Sequence, residues 1–197
     1  MQNIAIRLAN YFIRKGIISE TERDIYEYGF DITIYTIVST LGILLLGLVL
    51  RRFWESAVLM AIFYACQSSG GGYHASTHLR CFLTMCFGLL AGLGFTLLPC
   101  PLWLLCALAL LAVIVLLVIP LTLHPNKQYL AENRKALVLR SRISVVVSFA
   151  LAVVLAALQW IPASVVTAGY LLAAISRLYA KAHYPTATKE PSASDSE

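Results

Sequence analysis

One short stretch of the chain carries a thiol and two imidazoles: Gly70-Gly71-Gly72-Tyr73-His74-Ala75-Ser76-Thr77-His78-Leu79-Arg80-Cys81. A thiol and an imidazole close together are the minimum equipment for nucleophilic attack on a carbonyl. The thiolate is the nucleophile, and an imidazole or a helix N-terminus nearby raises its share. If residues 74–81 formed one straight helix, His74 and Cys81 would share a face but stand ~10.5 Å apart along the axis. His78 would sit ~5–6 Å from Cys81 at the β-carbons. On helical spacing His78 is the better partner, and His74 becomes one only if the glycine segment bends back over the helix start. Spacing leaves the choice open, and an inert buried cysteine beside two loop histidines is the plain alternative.

A zinc site competes with this reading, because His74, His78 and Cys81 fall at i, i+4 and i+7. Against it, no carboxylate lies between Glu55 and Glu132 to act as general base. The outer two positions are also far apart for ligands of one ion. Three consecutive glycines cost a helix roughly 1 kcal/mol each relative to alanine. In apolar surroundings such a break survives only where the freed backbone groups find partners or water. The segment is therefore expected to line a cavity and to let a second backbone approach. Its N–H groups at Gly70, Gly71 and Gly72 are candidate donors to an oxyanion, with Gln67 and Ser69 as further candidates. Close helix packing is the alternative role for small residues, although it favours spaced glycines.

The elements that must position this stretch are membrane-like. The 197 residues are 59% hydrophobic and 13% charged, against about 25% charged in a soluble domain, and the mean hydropathy is +0.78. No Asp, Glu, Lys or Arg occurs in residues 81–126 or 143–176, and each interval can supply two helices of ~20 residues. The pattern predicts an all-α, polytopic transmembrane bundle of six spans: 32–50, 57–67 (crossing only if its helix begins near Phe53), 81–98, 102–121, 143–158 and 163–176. Residues 1–16 place Ile4, Leu8, Tyr11 and Phe12 near one helical face and Arg7, Arg14 and Lys15 off it. This predicts an N-terminal amphipathic helix on the membrane surface, with an ordinary packed helix as the alternative. Ser19 and Glu22 have the spacing of a capping box. A cleavable signal peptide is not expected. Residues 1–184 read as one membrane domain and 185–197 as a disordered Pro/Ser/Thr-rich tail.

Charge sets the expected orientation. The loop of residues 124–142 holds Lys127, Arg134, Lys135, Arg140 and Arg142 against the single acid Glu132, and Arg177 and Lys181 follow the last span. The positive-inside rule then places this loop, both termini and the His/Cys stretch on the cytoplasmic side. Arg51 and Arg52 go against the rule, since six spans put them outside; either the rule tolerates that pair or the first two hydrophobic segments do not both cross fully. The five cysteines have no small extracellular domain to staple. Cys81 differs from the others in having Arg80 and two histidines as neighbours. The net charge of +5 fits basic cytoplasmic loops, and no nucleic-acid partner is expected.

The string Gly-Gly-Tyr-His-Ala with the Cys seven positions after the His resembles the accessory gene regulator B family. So do Pro125-Asn126-Lys127, Glu132-Asn133-Arg134-Lys135 and Arg140-Ser141-Arg142 in a basic loop between spans. The likeness covers most of the chain, and departs from it at Gln67-Ser68-Ser69, where many members carry a basic residue. The resemblance implies an integral membrane cysteine endopeptidase of a Gram-positive bacterium. Such an enzyme processes the precursor of a quorum-sensing peptide, with Cys81 and His74 as the catalytic pair and no cofactor. It also implies a membrane-associated propeptide as substrate, the lipid bilayer as environment and a homodimer. Asn126 and Lys127 are substrate-binding candidates, and Asn126 and Gln67 are candidates to orient His74. A small transporter with a broken helix is the non-enzymatic alternative; the spans' lack of ionisable residues and of an internal repeat speaks against it.

Overall fold

The structure is a computed structural model that describes residues 2–67, 77–119 and 134–183. Gly70, Gly71, Gly72, Ser69, His74, Asn126, Lys127, most of the basic loop and the tail of 185–197 lie outside the described residues. Seven α-helices form among the described residues: α1 (Gln2–Arg14), α2 (Arg23–Val49), α3 (Phe53–Gln67), α4 (His78–Phe95), α5 (Leu102–Val118), α6 (Arg134–Ala157) and α7 (Ala163–His183). No strand occurs among the described residues. Four helical segments among the described residues are long and apolar enough to cross a membrane: Glu20–Val49, His78–Phe95, Lys135–Ala157 and Ala163–His183. Helix α5 is apolar but shorter, and α3 begins at Phe53, the start on which its crossing was expected to depend.

Helix α7 is the hub. Its small residues Ala168, Gly169, Ala173, Ala174 and Ala180 let α3 and α5 approach closely. A β-carbon on Gly169 would press into Ile62 at 3.0 Å, so glycine is what permits that crossing. Interhelical hydrogen bonds add direction to this packing. Ser144 donates to the Ala65 carbonyl (2.6 Å), Thr167 to the Leu105 carbonyl (3.1 Å) and Tyr170 to Ser148 (3.0 Å). Outside this core the helices expose Leu41, Leu45, Leu90, Val147 and Leu151, a surface suited to lipid.

The helices alternate in direction, which gives the bundle two distinct ends. At one end, α2, α4 and α6 begin and α3, α5 and α7 finish. The opposite end carries Trp54, Trp103 and Trp160, each more than two-thirds exposed. Tryptophan prefers the membrane–water interface, and all three of this chain's tryptophans mark one boundary. Arg52 sits at that end for a structural reason: its guanidinium donates to Thr96 at the end of α4 (2.8 Å) and lies 3.7 Å from Glu55. It ties the α2–α3 corner to α4, which accounts for a cation where charge bias argues against one.

Helix α1 packs on α2 through Ala5 and Ala9, both fully buried, and through Phe12 against Phe30 (5.3 Å between ring centroids). Ile4 and Tyr11 remain exposed beside this face. The helix is thus packed along one line and open along the adjacent apolar one. The expected capping box forms: the Ser19 N–H donates to the Glu22 carboxylate (3.0 Å), and Glu20–Glu22 make a 3-10 turn leading into α2.

Candidate active site

Thr77 caps α4. Its side-chain oxygen accepts from the Arg80 N–H (3.3 Å) and its carbonyl from the Cys81 N–H (3.0 Å). Cys81 therefore lies in the first turn, where the helix leaves N–H groups free and favours negative charge. Its side chain is buried. The turn begins at His78, three residues earlier than the apolar run that marks the span in the sequence, because the polar cap decides where the helix starts.

Helix α2 supplies the wall facing Cys81. Asp31 and Tyr35 lie one turn apart and point to the start of α4. An Asp31 carboxylate oxygen stands 3.1 Å from His78 Nε2, and the Tyr35 ring lies 4.7 Å from the His78 ring. The Tyr35 hydroxyl lies beside the Cys81 thiol and Ser39. That hydroxyl and the second Asp31 oxygen are buried and have no hydrogen-bond partner among the described residues. Buried polar atoms without partners are costly, and a catalytic role is one reason a fold keeps them. Thus His78, the partner favoured by helical spacing, is engaged by Asp31 and Tyr35.

Neither Asp31 nor Tyr35 stands out as a site residue in the sequence. The available signal is weak: a carboxylate at the edge of an apolar span, with an aromatic hydroxyl at i+4. Gln67 is placed at the end of α3, where its amide nitrogen donates to the Ala173 carbonyl (3.2 Å) while its oxygen is buried without a partner among the described residues. It joins α3 to α7 rather than facing the Cys81 cluster through a described contact. Among the described residues no three His, Cys, Asp or Glu side chains converge as a metal site.

Cys81 also opens onto a groove of about 490 Å³ between α3, α4 and α7. One end of the bundle thus holds a capped, buried cysteine faced by a phenol and an Asp–His pair. The family model described as accessory gene regulator B matches residues 5–178, and the chain belongs to that family. Membership is consistent with quorum-sensing propeptide processing. No curated protein and no solved structure matches the chain.

Proposed function

We propose that the protein is a membrane cysteine endopeptidase that cleaves an autoinducing-peptide precursor and promotes ring closure. The observation that carries this reading is the setting of Cys81: a buried thiol in the first turn of a capped helix, beside a phenol without a partner among the described residues. His74, the histidine that the family resemblance pairs with Cys81, takes the thiol proton. The thiolate attacks a propeptide carbonyl, the C–N bond breaks, and the proton passes to the departing amine. An acyl thioester remains on Cys81. An internal Cys or Ser of the peptide then attacks that thioester, forming a thiolactone or lactone and returning the thiol. Exchange between thioesters is nearly balanced in energy, so exclusion of water decides the yield. Free N–H groups at the start of α4 and the Tyr35 hydroxyl are donors for the tetrahedral oxyanion.

In this reading all six long helices cross the cell membrane of a Gram-positive bacterium, α1 lies at the interface, and Cys81 is near the cytoplasmic face. The basic residues at the Cys81 end support that orientation. The basic loop would engage an acidic end of the precursor. The homodimer follows from the family resemblance. Full-length protein in liposomes with the precursor encoded beside it provides the test, followed by intact mass. An adduct at Cys81 that is lost in Cys81→Ala and His74→Ala but kept in His78→Ala is the expected result. Cleavage that persists in Cys81→Ala would overturn the reading.

A further inference from the structure

The groove that opens at Cys81 runs along α4 past Thr84, Met85 and Gly88 to Ala91, a descent of ~15 Å at the helical rise per residue. Met60 and Phe63 of α3 and Leu172 and Ile175 of α7 form the other walls. Its volume of about 490 Å³ is in the range that holds a compact apolar ligand. Polar groups are few, and the Thr84 hydroxyl already donates to the Arg80 carbonyl (2.8 Å). Such walls cannot satisfy a peptide backbone, which would be left without partners inside the apolar layer. They suit side chains that hang down from a backbone held at the level of Cys81.

We propose that this groove is the acyl-side subsite: it takes the bulky apolar side chains of the substrate segment joined to the carbonyl that Cys81 attacks. The inference rests on the peptidase reading above. Of the two halves of a cleaved peptide, the acyl half stays on Cys81 until the ring closes. It is therefore the half that needs an adjoining apolar site that keeps water away. The released half carries a free amine and belongs with the aqueous side. A lipid chain or a second copy of this protein are the other possible occupants.

Gly88 gives a clean test, because a β-carbon built there meets nothing within 4 Å. Gly88→Leu therefore adds bulk to a wall of the groove, and its β-carbon displaces no neighbour. Gly94, which does not line the groove, has the same open surroundings, so Gly94→Leu is the control. Full-length protein in liposomes is given precursors whose two residues on the acyl side of the scissile bond are Leu-Phe or Ala-Ala. Wild type and Gly94→Leu should form the Cys81 adduct at least ~10-fold faster with Leu-Phe, the scale of discrimination a few methylenes allow. Gly88→Leu should lose that preference through a slower rate with Leu-Phe.

A second readout does not depend on cleavage. Cys81 is alkylated with short- and long-chain N-alkyl maleimides, and the modified residue is located by peptide mass mapping. Gly88→Leu should slow the long reagent alone; an unchanged rate with the short one certifies the fold. If Cys81→Ala still cleaves, the peptidase reading fails while the maleimide contrast still decides the groove. An undiminished Leu-Phe preference, or an undiminished long-chain rate, in Gly88→Leu would overturn the proposal. A change of oligomeric mass in Gly88→Leu would assign the groove to a second copy and overturn it equally.

Discussion

Two polar clusters sit at the same end of the bundle and are built on opposite principles. Around Arg177, three helices meet a cation; around Cys81, a helix start meets groups that can react. Arg177 is 1% exposed. Its guanidinium donates to the Leu116 carbonyl near the end of α5, to the Cys66 carbonyl near the end of α3 (2.6 Å) and to Ser141 of α6 (3.3 Å). Helix C-termini are the negative ends of their dipoles, so a cation placed among them is held without any carboxylate. Its planar fork of donors suits several acceptors at once, which a lysine ammonium would serve less well. The Cys81 cluster gathers Asp31, Tyr35 and His78 instead, and leaves oxygen atoms of Asp31 and Tyr35 without partners among the described residues. One cluster engages both terminal nitrogens of its guanidinium and ties three helices together, leaving only Nε buried without a partner among the described residues. The other keeps polar atoms in reserve beside a nucleophile.

This contrast predicts that substitutions in the two clusters separate chemistry from stability. Cys81→Ala should show the largest effect, a fall of at least ~10³-fold in precursor cleavage, the scale lost when a covalent nucleophile is removed, with thermal stability in detergent unchanged. Tyr35→Phe comes next. Removing one donor to a developing oxyanion costs on the order of 10²-fold in turnover, and the ring packing against His78 stays. Single-turnover cleavage at saturating precursor measures it. A Tyr35→Phe variant with wild-type turnover would take the hydroxyl out of the chemistry.

Arg177→Met should act the other way. Hydrogen bonds to a charged group are worth about 1.5–3 kcal/mol each, so losing the pair to Leu116 and Cys66 should lower thermal stability by about 3 kcal/mol. Arg177→Lys should lose less, since it keeps the charge. Cys66 lies one residue before the end of α3, so some loss of turnover through the following segment is compatible with the assignment. Thermal unfolding that matches wild type in Arg177→Met is not.

The clusters also differ in how far they can be read from the sequence. Charge-free intervals locate α4, α5 and the apolar parts of α6 and α7, and the Ser19/Glu22 spacing locates the corner before α2; α6 itself starts at Arg134, so residues 134–142 of the expected basic loop are helical. A start near Phe53 is the condition for a crossing by 57–67, with partial insertion as the alternative, and α3 does begin there. Arg177 is misleading in the same reading. A charge normally ends a span, so the last one appears to stop at Ser176, whereas α7 runs to His183 with Arg177 buried in it. The carbonyls that hold it belong to helices 61 and 111 residues away in the chain, and no local pattern announces them. Asp31 and Tyr35 are obscure for the same reason. Their meaning lies in which face of α2 meets the start of α4, and helix–helix pairing is not written in the spacing along either one. The cysteine is legible because its chemistry is intrinsic to the side chain and its neighbours in sequence.

The smallest expected effect lies at the corner that joins α1 to α2, away from both clusters. The Ser19 N–H and hydroxyl both donate to the Glu22 carboxylate (3.0 and 2.7 Å), and these bonds hold its pKa below the ordinary value of 4.5. Bonds that favour the ionised form lower a folded-state pKa. Their contribution is therefore complete above about 4.5 and is lost as pH falls through the lower folded value. The box should stand intact at neutral pH and open only in acid. Glu22→Gln removes the charge at every pH, so it should lower the Ser19 amide protection factor a few-fold at pH 7 and flatten its decline in acid. Catalysis at Cys81 should not respond to this change. Equal protection in Glu22→Gln and wild type at pH 7 would show that the corner is held by the packing of Phe12 on Phe30 and not by the carboxylate.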